Sequence, residues 1–151
     1  PVLRTTVATA PRYLPELNDP IRGVNMKRII QPEKGAAPKG PYSPGIVVDG
    51  TTLYVSAQGP FDPETGEVVG TSFEEQAEQV FENLNVIVED AGGTLGDVVK
   101  LTVFITDWAH FGPMSEFCLR WFSEPYPART PVKTELPGAL FMADAVVALQ
   151  R

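Results

Sequence analysis

The sequence predicts an α+β domain over residues 26–151, with one mixed β-sheet and two helices packed on one face. Three observations carry that expectation. Short β-rich runs come first, then a capped amphipathic helix, a long β-branched strand, a second helix and two closing strands. Asp49-Gly50 stands between two of the β-rich runs, a pair suited to the φ > 0 positions of a hairpin turn. The first helix carries both a start and a stop signal of its own.

Taken in order, Lys27–Ile30 is the first strand-like stretch. Ile46–Asp49 and Thr52–Ser56 flank the Asp49-Gly50 turn, and Pro63–Gly66 makes another turn ahead of Glu67–Val69. Ser72 and Glu75 form an S-x-x-E capping box. Behind it, Phe73, Ala77, Val80, Phe81, Leu84, Ile87 and Ala91 recur at helical spacing until Gly92-Gly93 stops the helix. Val98–Thr106 reads as a central strand, rich in β-branched residues. A second helix is expected over about Pro113–Phe122, burying Met114, Phe117, Cys118, Trp121 and Phe122. Thr130–Glu135 and Leu140–Leu149 close the domain around a Leu136-Pro137-Gly138 turn. Residues 1–25 differ: Pro1, Pro11, Pro15 and Pro20 punctuate them and no period persists, as in an extended arm.

Bulk properties narrow the function classes. At 151 residues and 43% hydrophobic, the chain has the size and apolar content of one globular domain. A net charge of −7 disfavours nucleic acid as the main partner, because phosphate binding needs a positive footprint. One cysteine, Cys118, permits no internal disulfide and fits a reducing, cytoplasmic setting. No apolar run approaches the ~20 residues that span a bilayer, and the first 25 residues lack a signal-peptide core. His110 is the single histidine and there is no G-x-S-x-G, so a serine triad has little to draw on. One histidine and one cysteine are too few for a usual zinc site, and no glycine-rich nucleotide motif is present. His110 and Cys118 are most simply a polar residue and a small buried residue of the second helix.

Polar residues at strand ends remain as candidates. Tyr42 sits in the rigid Gly40-Pro41-Tyr42-Ser43-Pro44 loop, either held for function or packed on the surface. Ser56 and Gln58 end the second hairpin strand, where simple strand-end capping is the alternative. Arg129 begins a strand between Pro127 and Pro131. Its planar fork of donors suits a carboxylate in bidentate geometry, or else a surface ion pair. Asp144 is an acid inside an otherwise apolar final strand, and burying a carboxylate alone is costly. Arg129 is its natural partner, with a neighbouring subunit as another source.

Gly40-Pro41-Tyr42-Ser43, Leu53-Tyr54-Val55-Ser56-Ala57-Gln58, Asp62-Pro63-Glu64-Thr65-Gly66, Val98-Val99-Lys100-Leu101-Thr102-Val103-Phe104 and Pro127-Ala128-Arg129 occur in that order, followed by the acidic closing strand. In this the chain resembles the RidA (YjgF) family of enamine/imine deaminases over about residues 26–151. The resemblance implies a chorismate-mutase-like fold and a homotrimer with a pocket at each subunit interface. It implies hydrolysis of 2-imino and 2-enamine acids to 2-keto acids and ammonia, with no metal or organic cofactor. It places the carboxylate-binding arginine on Arg129, the loop tyrosine on Tyr42, the strand-end serine on Ser56 and the closing-strand acid on Asp144. Two departures stand out. Pro131 occupies a position where many members carry cysteine, and Ser115 one where many carry asparagine. They allow a substrate larger than the smallest imino acids, such as an aminomuconate-type enamine acid. In the implied mechanism Arg129 anchors the carboxylate, and Asp144 orients or deprotonates a water that attacks the C=N carbon. Competing functions are a ribonuclease, a non-catalytic small-molecule sensor or chaperone-like trimer, and a tautomerase using Pro1 as an amine base.

Overall fold

The computed structural model describes residues 28–30, 41, 45–48 and 50–149. Six strands and two helices follow in the order β1 (Arg28–Ile30), β2 (Gly45–Val47), β3 (Thr51–Gln58), α1 (Phe73–Asp90), β4 (Val98–Ile105), α2 (Phe111–Trp121), β5 (Ala128–Lys133) and β6 (Phe141–Leu149). The architecture is α+β, as the element order predicted. Residues 1–25, the expected arm, lie outside the described residues.

One four-stranded sheet dominates, in the order β3-β6-β4-β5. β6 is antiparallel to both neighbours, and β4 and β5 run parallel, so the sheet is mixed. The expected single sheet needs one correction: among the described residues β1 and β2 pair only with each other. The expected hairpin turn includes Asp49, outside the described residues; among the described residues no β2–β3 pairing occurs, and β3 pairs with β6 from Thr51 onward. Gly50 has φ 119°, as such a turn demands. Glu67–Val69 contributes only an isolated bridge, Phe61 with Val68.

α1 starts where its box predicts. Glu75 N–H donates to Ser72 Oγ at 3.2 Å, and Ser72 N–H donates back to Glu75 Oε2 at 3.1 Å. It buries Phe73, Gln76, Ala77, Val80, Phe81, Leu84 and Val88 against the sheet. α2 starts two residues earlier than expected, at Phe111. Pro113 is thus the third helical residue, and first-turn N–H groups have no acceptor in the helix, so its missing donor costs nothing there. Asp107 leads into α2, its Oδ1 accepting from Ala109 N–H at 2.7 Å.

Alternation in the strands sets the two faces of the sheet. Leu101, Val103 and Ile105 of β4 face the helices together with Phe141, Ala143, Ala145 and Val147 of β6, all buried. Phe81 of α1 occupies the centre, 5.6 Å from the Phe141 and Phe122 rings and 5.9 Å from Trp121. The other face carries Lys100, Thr102 and Phe104 of β4 with Met142, Asp144 and Val146 of β6. These are half-buried, and no described helix covers them. Pro131 lies within β5, a position open to proline because β5 is the edge strand.

Candidate active site

Arg129 is the second residue of β5 and stands beside Leu101 in the parallel register. It therefore points to the helix side, where it is only 8% exposed. α2 supplies its surroundings. Arg129 Nη2 donates to Ser115 Oγ over a long 3.4 Å, and the guanidinium carbon lies 5.9 Å from the Phe111 ring centre. Cys118, three residues on from Ser115, is free and buried. Burial pushes its thiol up, and Arg129 pulls it partly back. Ser115 and Arg129, both singled out in the sequence, are thus brought together.

Asp144 is on the other face. It pairs with Thr102 of β4, and Thr102 pairs with Thr130 of β5. Arg129 and Asp144 occur on adjacent registers but opposite sides of the sheet, so the expected intrachain pairing of the two is not made. The period-two alternation of a strand forbids it. The cation on Asp144's side is Lys100, whose Nζ donates to Thr130 Oγ1. Burial pushes the Lys100 ammonium below its ordinary 10.5, and the charge of Asp144 pulls it partly back up. Ser56 is one residue past the Val55–Ala145 pair and Asp144 one residue before Ala145, so both sit at neighbouring positions of adjacent strands. Asp144, Thr102 and Thr130 thus form a polar row across this face, beside Lys100, with Ser56 at the β3 end where the register shifts. Sequence reasoning missed Lys100, Thr102 and Thr130. Their signal was present: polar residues at period two in an apolar strand, in register with the one acid of β6.

Gln58 bends back, its Nε2 donating to the Ser56 carbonyl at 3.0 Å. β3 is three strand steps from β5, about 14 Å at ordinary spacing, so Ser56 and Gln58 do not share a pocket with Arg129 in one chain. Tyr42 lies outside the described residues. His110, half-buried just ahead of α2, stacks on Phe73 with ring centres 4.6 Å apart, and Cys118 packs on Met114 in the core as expected.

An open groove of about 1010 Å³ runs along the end of β5. Trp108, Pro131, Val132, Lys133, Glu135 and Leu136 form most of its wall. Pro131 is two residues from Arg129 on the same strand, and Trp108 stands 6.4 Å from Phe111, ring centre to ring centre. The groove thus begins two residues along β5 from Arg129, which does not line it. Among the described residues, no group of three or more His, Cys, Asp or Glu side chains is placed to hold a metal ion.

The mixed four-stranded sheet with two helices on one face is a fold shared with Rid proteins of known structure. The RidA crystal structure from the Antarctic bacterium Psychrobacter sp. matches with a TM-score of 0.63 at 43% identity, over 81% of this chain and 99% of that one. The Endoribonuclease L-PSP family description matches residues 33–141. The chain belongs to this family, the one also called YjgF or RutC. A RutC family protein of Pyrococcus abyssi is 45% identical over 107 residues, 71% of this chain and 84% of that protein. A protein of Dermatophagoides farinae named 2-iminobutanoate/2-iminopropanoate deaminase is 37% identical over 112 residues, 74% of this chain and 87% of its own length.

Proposed function

We propose that this chain hydrolyses 2-imino acids and their enamine tautomers: R–C(=NH)–COO⁻ and water give R–C(=O)–COO⁻ and ammonia. The observation that carries this is the buried Arg129 guanidinium, set between the Ser115 hydroxyl and the Phe111 ring. A guanidinium so held is preorganised for a substrate carboxylate. The likeness to the Dermatophagoides farinae deaminase supports the same chemistry.

Arg129 anchors the carboxylate and Ser115 steadies the guanidinium. Asp144 orients the attacking water and returns a proton to the departing nitrogen. Tyr42, Ser56 and Gln58 complete the polar wall. Arg129 and Asp144 face opposite sides of one sheet, so one substrate meets both where a second copy of the chain supplies the missing group. A homotrimer with a pocket at each interface satisfies that requirement, and it covers the apolar face around Met142, Val146 and Phe104. No metal or organic cofactor takes part in this scheme, and a reducing, cytoplasmic setting suits it.

The test is a coupled assay. Serine and threonine, acted on by a pyridoxal-phosphate dehydratase, release 2-aminoacrylate and 2-aminocrotonate. Faster loss of the imine signal that vanishes in Arg129→Ala supports deamination with this anchor. Equal decay with and without the protein counts against it.

The family's description as an endoribonuclease favours a second activity, RNA cleavage. The net charge of −7 opposes it. A titration against RNA at several salt concentrations separates the two, because phosphate binding weakens steeply with salt.

A further inference from the structure

We infer that the groove along the end of β5 is the side-chain subsite of this same centre, and that it selects 2-imino acids with a large apolar side chain, aromatic above all. The inference rests on the deaminase proposal and names its substrate class.

The geometry is continuous. Arg129, Pro131 and Lys133 follow at every second residue of β5, the spacing that keeps side chains on one face. Pro131 and Lys133 wall the groove, and Arg129 precedes them. A substrate whose carboxylate meets the guanidinium has its α-carbon at the mouth, with its side chain directed along the strand. Two residues of strand advance about 6.6 Å, close to the reach of a phenylpyruvate skeleton from carboxylate to ring.

Trp108, Pro131, Val132 and Leu136 give the lining an apolar part, beside Thr106, Thr134, Lys133 and Glu135. Trp108, in the wall, is 52% exposed, and Phe111, outside the wall, is 41% exposed, with its ring 6.4 Å from that of Trp108 at 59°. Two large aromatic rings left together in water beside a buried cation form a surface awaiting an apolar partner. Pro131 and Leu136 continue that surface, and Pro131 has no N–H to satisfy. Lys133 and Glu135 both line the wall with opposite charges, so it carries no net charge to favour a second carboxylate. A methyl group leaves the groove full of water, whereas a benzyl group displaces that water from Trp108 and its apolar neighbours.

Two measurements on the full chain test this. Imines made in situ by a D-amino-acid oxidase from D-phenylalanine and D-alanine are compared for kcat/KM. The products phenylpyruvate and pyruvate, with 2-oxoglutarate as the dicarboxylate, are titrated by calorimetry. The phenylalanine-derived imine is expected to be favoured by about 10–100-fold, the scale on which apolar pockets discriminate. Phenylpyruvate is expected to bind more tightly than pyruvate or 2-oxoglutarate. Trp108→Ala is expected to reduce both preferences about tenfold, while Trp108→Phe retains most of each. Equal treatment of the two imines, preference for 2-oxoglutarate, or a preference untouched by Trp108→Ala overturns the subsite. Phenylpyruvate selectivity with no turnover of either imine upholds the subsite and removes the deaminase proposal. Absence of both turnover and selective binding removes the two together.

Discussion

Replacing Arg129 by methionine removes a planar cation while keeping most of the buried stem. Methionine is flexible enough to fill the space beneath Phe111 and Ser115. The Arg129–Ser115 bond is 3.4 Å long, so its loss costs folding little. Catalysis is another matter. A carboxylate held by two charge-assisted hydrogen bonds gains about 1.5–3 kcal/mol from each. Losing both removes about 3–6 kcal/mol, or about 10²–10⁴-fold in kcat/KM. Arg129→Lys keeps the charge without the fork and is expected to fall between the two. The assay is imine decay at subsaturating substrate, with thermal unfolding as the control for folding. A methionine variant that melts with wild-type and stays within twofold of its kcat/KM refutes the carboxylate anchor.

Phe81 is fully buried at the aromatic centre, and Phe81→Ala is expected to cost about 3–5 kcal/mol in urea unfolding. Gln76 is buried and its Oε1 accepts Leu140 N–H at 2.8 Å, which ties α1 to the start of β6. Gln76→Leu strands that donor and is expected to lower stability by about 1–3 kcal/mol, a loss that calorimetry measures. Backbone donors hold the carboxyls of Glu75, in the α1 capping box, and Asp62, in the turn before it, below their ordinary 4.5 and 3.8. Their contribution is full above those values and lost as pH falls through the lower folded values, so Ser72→Ala, which removes a donor from Glu75, is expected to flatten the acid limb of a stability-versus-pH curve. Lys100 works in the opposite direction. Its folded value lies below 10.5, so the unfolded chain binds the extra proton and stability rises as pH climbs toward 10.5. Lys100→Met is expected to remove that alkaline rise in pH-dependent melts.

Much of the fold was legible because its signals are local. The Ser72–Glu75 box, the 3.6-residue apolar stripe and Gly92-Gly93 set α1 from Ser72 to within a residue of its end, since each concerns groups at most four residues apart. The β-branched run marked β4, and the α+β class followed from element order. Boundaries slipped where one residue had two local meanings: Pro113 resembles a helix start but is equally at ease two residues inside one.

Strand partners were not legible in the same way. β2 lies next to β3 in the chain, yet its described ladder is with β1, and β6 inserts between β3 and β4. The sequence by itself determined which residues are exceptional, Arg129 between its prolines and Asp144 in an apolar strand. Only the tertiary structure decided that they face opposite sides of one sheet, with Ser115 beside the first and Lys100 on the side of the second. The physical reason is that side-chain direction in a strand has a period of two, and the register that fixes it comes from pairing with residues far away in the chain.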